Sequence, residues 1–227
     1  RTDEAERIFH DLAAATGSPA EVAYDAARAL HLAGEPERAL PWYREGLRTG
    51  VSRPGALNPI FALEGVVFAL VELGRPGDAL AELDRFDALH GGGLESAPGR
   101  RNHTSAYRFF VAWRAGEPVP SGLLFPGDAP TDYLLYLGLE ARRVTGTPPA
   151  ELLAAVEAGL TEASVGRGLF LALRAELLAE LGRWPEARAE IVEALDLVRL
   201  RRQYDIPARG LLPVVEARYQ RLVGSRG

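Results

Sequence analysis

The 227-residue chain contains no cysteine, no methionine and no lysine. The first absence excludes disulfides, thiolate metal sites and cysteine nucleophiles. The second means that the chain lacks a start residue, so a parent polypeptide continuing upstream is expected. The third makes every one of the 26 basic residues an arginine. Asparagine and glutamine are nearly as scarce, at Asn58, Asn102, Gln203 and Gln220 alone. Abundant Ala, Gly, Arg, Pro and Leu beside so little Lys and Asn points to a GC-rich bacterial genome. No run of 18 apolar residues occurs, so no membrane span is expected. No signal peptide is read either, and the expected location is cytoplasmic. A hydrophobic content of 47% with 25% charged residues describes a folded chain rather than a disordered one. The net charge of −5 argues against a nucleic-acid footprint.

Catalytic signatures are missing as well. The four histidines, His10, His31, His90 and His103, show no metal-ligand spacing and read as single exposed side chains. There is no HExxH, no Gly-x-Ser-x-Gly elbow, no phosphate loop and no dinucleotide glycine pattern. Gly91-Gly92-Gly93 has neither a preceding strand nor a lysine, and reads as a turn. Glu176 and Glu180 lie one helical turn apart, where a solvated face is the default over an acid–base pair. The basic run Arg199-Leu200-Arg201-Arg202 ends a long helix and complements its dipole there. No catalytic residue, metal or cofactor is expected, and the chain reads as a non-enzyme.

What the sequence does contain is a repeat. A glycine closes one helix; five residues later comes alanine, four after that a bulky apolar residue, and three after that another position on the same face. The copies are Gly34-Ala39-Tyr43-Gly46, Gly74-Ala79-Leu83-Phe86 and Gly182-Ala187-Ile191-Ala194. Each glycine suits a left-handed helix cap, and a proline soon after starts the next helix where no amide donor is needed. The same glycine–x–proline punctuation recurs at Gly116-Pro118 and Gly146-Pro148. In those copies Ser121 and Glu151 stand where alanine is expected. The periodicity places helices at 3–15, 19–33, 36–48, 58–73, 76–89, 103–115, 131–144, 148–160, 166–181, 185–203 and within 207–223. Two stretches break the pattern: residues 90–101, too rich in Gly and Pro for a helix, and residues 117–130, with four prolines. The last helix reads as a cap with a wet face through Glu216, Arg218, Gln220 and Arg221.

The pattern resembles the tetratricopeptide repeat, a helix–turn–helix unit of about 34 residues. It covers nearly the whole chain. The fold expected is all-α, a right-handed α-solenoid of about five such repeats with a C-terminal capping helix, in a single domain spanning 1–227. The resemblance implies a concave surface lined by the first helix of each repeat and used to bind peptides or helices. Carried onto this sequence, that surface comprises Tyr24, Arg28 and His31; Phe61, Glu64 and Phe68; His103, Phe110, Trp113 and Arg114; Tyr133, Tyr136, Glu140 and Arg143; and Glu176. Aromatic and arginine side chains dominate binding energy at protein interfaces, whereas rings at helical spacing also serve as packing between hairpins. The first functional reading is a protein-interaction scaffold holding a peptide or helix of a partner. The second is a ligand- or peptide-sensing domain of a bacterial transcriptional or signalling regulator, with the irregular middle forming a pocket. Homo-oligomerisation through repeat ends is a further expectation.

Overall fold

The computed structural model describes residues 2–15, 19–51, 59–90, 98–120, 123, 132–162 and 166–224. Among these residues the protein is all-helical. The helices are α1 (Thr2–Ala15), α2 (Pro19–Leu32), α3 (Pro36–Val51), α4 (Pro59–Glu72), α5 (Pro76–His90), α6 (Pro98–Ala115), α7 (Asp132–Val144), α8 (Pro149–Glu162), α9 (Arg167–Glu180), α10 (Trp184–Arg201) and α11 (Ile206–Gly224). Each expected helix is present, most within one or two residues of its expected start. The exception is α6, which begins at Pro98, five residues before its expected start and within the segment expected to be irregular. Pro98 fits because the first helical position needs no amide donor. The same reason applies at Pro19, Pro36, Pro59, Pro76 and Pro149, each the first residue of its helix. The short turn expected around 121–125 lies, but for residue 123, outside the described residues.

The turns repeat in detail. Gly34, Gly74, Gly116, Gly146 and Gly182 all have positive φ, between 69° and 93°, a region that costs an L-residue roughly 1–2 kcal/mol. At four of them the next amide reaches back to the carbonyl five residues earlier. These bonds are Glu35 to Leu30 (3.0 Å), Arg75 to Leu70 (2.8 Å), Thr147 to Arg142 (2.9 Å) and Arg183 to Leu178 (2.8 Å). The bond satisfies a carbonyl that the helix end would leave unpaired.

After each turn the second helix buries its repeat positions. Ala39, Ala79 and Ala187 are fully buried, as are Tyr43, Leu83 and Ile191. The copy after Gly146 is offset by one residue. There α8 starts at Pro149, while the Pro148 carbonyl accepts the amides of Glu151 and Leu152. The buried positions become Leu152, Val156 and Gly159, and Glu151 turns outward to pair with Arg142 at 2.6 Å. The unexpected glutamate is therefore a one-residue insertion in the turn, not a charge in the core.

The chain forms two compact units, Arg1–Gly116 and Glu117–Gly227. Their boundary falls at the start of the proline-rich stretch. Each unit is organised around one helix that is apolar on nearly every side. In the first unit that helix is α4, where Ile60, Ala62, Leu63 and Gly65 to Leu70 are buried, with α2, α3, α5 and α6 packed on it. In the second it is α9, where Gly168 to Leu173, Ala175 and Leu177 to Ala179 are buried, with α7, α8, α10 and α11 around it. A helix without a polar face is stable only when covered on all sides. The close approach of α3 to α4 needs Gly65. A Cβ there would lie 2.2 Å from the Tyr43 ring.

Candidate partner-binding surface

The residues assigned to the concave face separate into three groups. The first stays accessible and gathers on α2 and α4. Tyr24 and Arg28 are one turn apart on α2, half-buried and exposed respectively. Phe61, 44% exposed, and Glu64, half-buried, lie on the matching face of α4. The Tyr24 and Phe61 ring centroids are 6.4 Å apart, so the two helices present a single patch. On α6, Tyr107 donates its hydroxyl hydrogen to Glu64 at 2.7 Å, and the His103 ring lies 6.2 Å from that of Tyr107. The patch therefore runs over three first helices of one unit. Its α2 and α4 parts contain two accessible rings, one cation and one carboxylate.

The second group is buried, which corrects its expected placement in a groove. Phe68 and Phe110 pack against each other between α4 and α6, their ring centroids 4.4 Å apart and their planes tilted by 31°. His31 is 1% exposed. Its Nδ1 lies 3.3 Å from the Tyr43 hydroxyl and its Nε2 3.0 Å from a Glu72 carboxylate oxygen. It is a buried structural side chain, contrary to its reading as an exposed one. Burial pushes the Tyr43 phenol far above its ordinary range, with nearby Tyr24 and Glu64 adding to the effect. The Tyr107 phenol is raised for the same first reason.

Tyr136 and Glu140 are also buried, in the second unit. Arg218 of α11, 1% exposed, donates to the Tyr136 hydroxyl at 3.1 Å and pairs with Glu140 at 2.6 Å. It also bonds Glu176 at 3.0 Å. Arg143 completes the cluster, reaching Glu140 at 3.1 Å and Glu180 at 3.3 Å. Burial pulls the Glu140 carboxyl up, but the cations Arg218 and Arg143 outweigh it and hold the carboxyl below the usual range. Burial works against the Arg218 charge too, yet Glu140 and its neighbours raise its pKa. Glu176 and Glu180 thus serve as counter-ions, not as an acid–base pair. Arg218 is the clearest departure from the wet-face reading of the last helix. The sequence held the signal: Leu211, Val215, Arg218 and Leu222 fall on one helical stripe, and all four are buried.

The third group is intermediate. Trp113 is half-buried and stacks on Phe109 at 5.5 Å. Arg114 is half-buried, and its Nε finds no hydrogen-bond partner among the described residues; desolvation lowers its pKa. Tyr133 donates to Asp205. Among the described residues no group of histidines and carboxylates is arranged to hold a metal ion. No helix there is long and apolar enough to cross a membrane.

The tetratricopeptide-repeat family model matches residues 20–45 and 168–193. Those segments cover the α2–α3 and α9–α10 hairpins, the two with the most extensive mutual packing. The chain carries tetratricopeptide repeats. No curated protein and no solved structure matches it significantly. Repeats of this family generally mediate contacts between proteins. The two matched hairpins lie one in each unit, and both keep the turn glycine, the buried alanine and the bulky residue after it.

Proposed function

We propose that the protein is a non-enzymatic interaction scaffold whose working surface is the first-helix face of the first unit. The supporting observation is the contrast in burial between groups of the same type. Tyr24, Arg28, Phe61 and Glu64 remain accessible together, whereas Tyr136 and Glu140 are consumed by an internal ion cluster. The patch suits a peptide or helix of a partner that offers an apolar side chain to Tyr24 and Phe61 and a carboxylate to Arg28. Such rings and arginines carry most of the binding energy in an interface. The charged rim sets orientation and association rate.

The test is affinity capture from a bacterial lysate by the parent chain beside an Arg28→Glu/Phe61→Ala variant of equal helicity. A partner retained by the parent and reduced at least about tenfold by the variant is the expected result. Equal capture by both moves the working surface away from α2 and α4.

A further inference from the structure

A second groove lies in the first unit, formed by second helices instead of first ones. Arg44, Leu47 and Arg48 of α3 face Arg85, Phe86 and Leu89 of α5 across a cavity of about 300 Å³. On each helix the lining residues follow i, i+3, i+4 spacing, so each presents one stripe to the groove. The floor is apolar: Phe86 is buried beneath it, Leu47 is half-buried, and Leu89 is 72% exposed beside it. Arginines form both walls. At the groove's centre the nearly buried Glu82 carboxylate holds the walls together, accepting from Arg44 at 2.8 Å and Arg85 at 2.7 Å. Arg48 pairs with Glu45 of its own helix at 2.6 Å. Three guanidinium groups thus line the groove against one lining carboxylate.

We infer that this groove docks an acidic amphipathic segment of a partner protein, its apolar stripe on Leu47, Phe86 and Leu89 and its carboxylates on Arg44, Arg48 and Arg85. Charge complementarity selects that occupant. A guanidinium carries five donors in a planar fork, so the pairing of Arg44 and Arg85 with Glu82 leaves donors for an incoming carboxylate. The size agrees: the cavity is at the low end for ligand clefts, roughly 300–1,000 Å³, and takes one or two apolar side chains of a longer segment. A helix laid in a groove with alternating apolar anchors is an established way to recognise such a segment. The groove uses none of the residues of the α2–α4 patch, so the two surfaces bind independently.

The probe is a fluorescein-labelled helical peptide of about 15 residues, some four turns, made of Leu, Ala and Glu with glutamates flanking an apolar stripe. Its control carries lysine at every glutamate. Fluorescence anisotropy is expected to show saturable, salt-weakened binding of the glutamate peptide and none of the lysine peptide. Arg48→Glu/Leu89→Glu is expected to weaken it at least about tenfold, and to do so by the same factor when Arg28→Glu/Phe61→Ala is also present. Both altered groove positions are solvent-facing; should the pair fail to keep its helical circular dichroism, Arg48→Glu alone carries the same prediction. Absence of binding, equal binding of both peptides, or indifference to the groove variants overturns the inference. So does self-association in sedimentation velocity that the groove variants abolish, since a second copy would then be the occupant.

Discussion

Each unit buries a tyrosine hydroxyl beside polar partners, but the two clusters are built from different chemistry. In the first unit Tyr43 meets the ring of His31, and the carboxylate that completes the network, Glu72, sits at the rim in contact with water, as does Glu64, which accepts from Tyr107. In the second unit Tyr136 meets Arg218, and the carboxylate is Glu140 with no exposure at all. A fully buried ion pair must recover a desolvation cost of several kcal/mol per ion through geometry and extra hydrogen bonds. The second unit does so with two arginines on one carboxylate, and in doing so turns Tyr136 and Glu140 of α7 inward. The first unit keeps the carboxylates wet and leaves Tyr24, Arg28 and Phe61 outside. The same repeat template therefore yields a locked unit and an open-faced one.

The largest expected difference follows from removing the central polar group of each cluster. Arg218→Leu strands Glu140 without its closest cation and should cost about 3–5 kcal/mol. His31→Leu leaves the Tyr43 hydroxyl short of one partner and should cost only about 1–2 kcal/mol. Equilibrium urea unfolding measures both. The double change Arg218→Leu/Glu140→Leu should recover most of the first loss, because it removes both charges. Equal costs for the two single changes would erase the distinction between the units.

Acid should separate the units as well. The Glu140 carboxyl is held low by Arg218 and Arg143 against the pull of burial. Its stabilising contribution is present above the unfolded carboxylate value near about 4.3 and is lost as pH falls through the lower folded value. Amide hydrogen exchange followed during acidification should show α7 and α11 losing protection before α2 and α4. Base should act on both units. Burial raises the phenols of Tyr43, Tyr107 and Tyr136, so the stability they confer is present below about pH 10 and lost above it.

The smallest effects concern what the units share. Gly74→Ala in the first unit and Gly182→Ala in the second should each cost roughly 1–2 kcal/mol, since both residues have positive φ and no neighbour for a Cβ to touch. Gly77→Ala, in an ordinary conformation within α5 and facing open space, should instead gain about 0.5–1 kcal/mol. Matched costs at the two turns in thermal unfolding would show that turn chemistry is common and only the buried clusters differ.

Much of this was legible in the sequence because it is local. Turn glycines, the prolines after them and the buried alanine five residues on are encoded within a dozen neighbours, and they fixed the helix order from Thr2 to Gly224. The offset at Gly146 was half visible, since Glu151 stood where alanine was expected. Placing α8 one residue later required seeing Pro148 as the residue before the helix. The interior polar clusters were not legible, because their bonds join positions far apart in the chain. Arg218 meets Tyr136 across 82 positions and His31 meets Glu72 across 41. The stripe of Leu211, Val215 and Leu222 marked Arg218 as inward-facing but not which groups it meets, and residue type alone places a histidine at the surface; only the packing around α4 shows His31 inside.

The most direct test of the contrast between the units is hydroxyl-radical footprinting of the free chain with mass-spectrometric readout. Oxidation should be fast at Phe61, which is 44% exposed, and slow at Tyr136 and Phe110, which have no exposure. Tyr136 oxidised as quickly as Phe61 would mean that the second unit presents its first-helix face to solvent, contradicting the division between an open unit and a locked one.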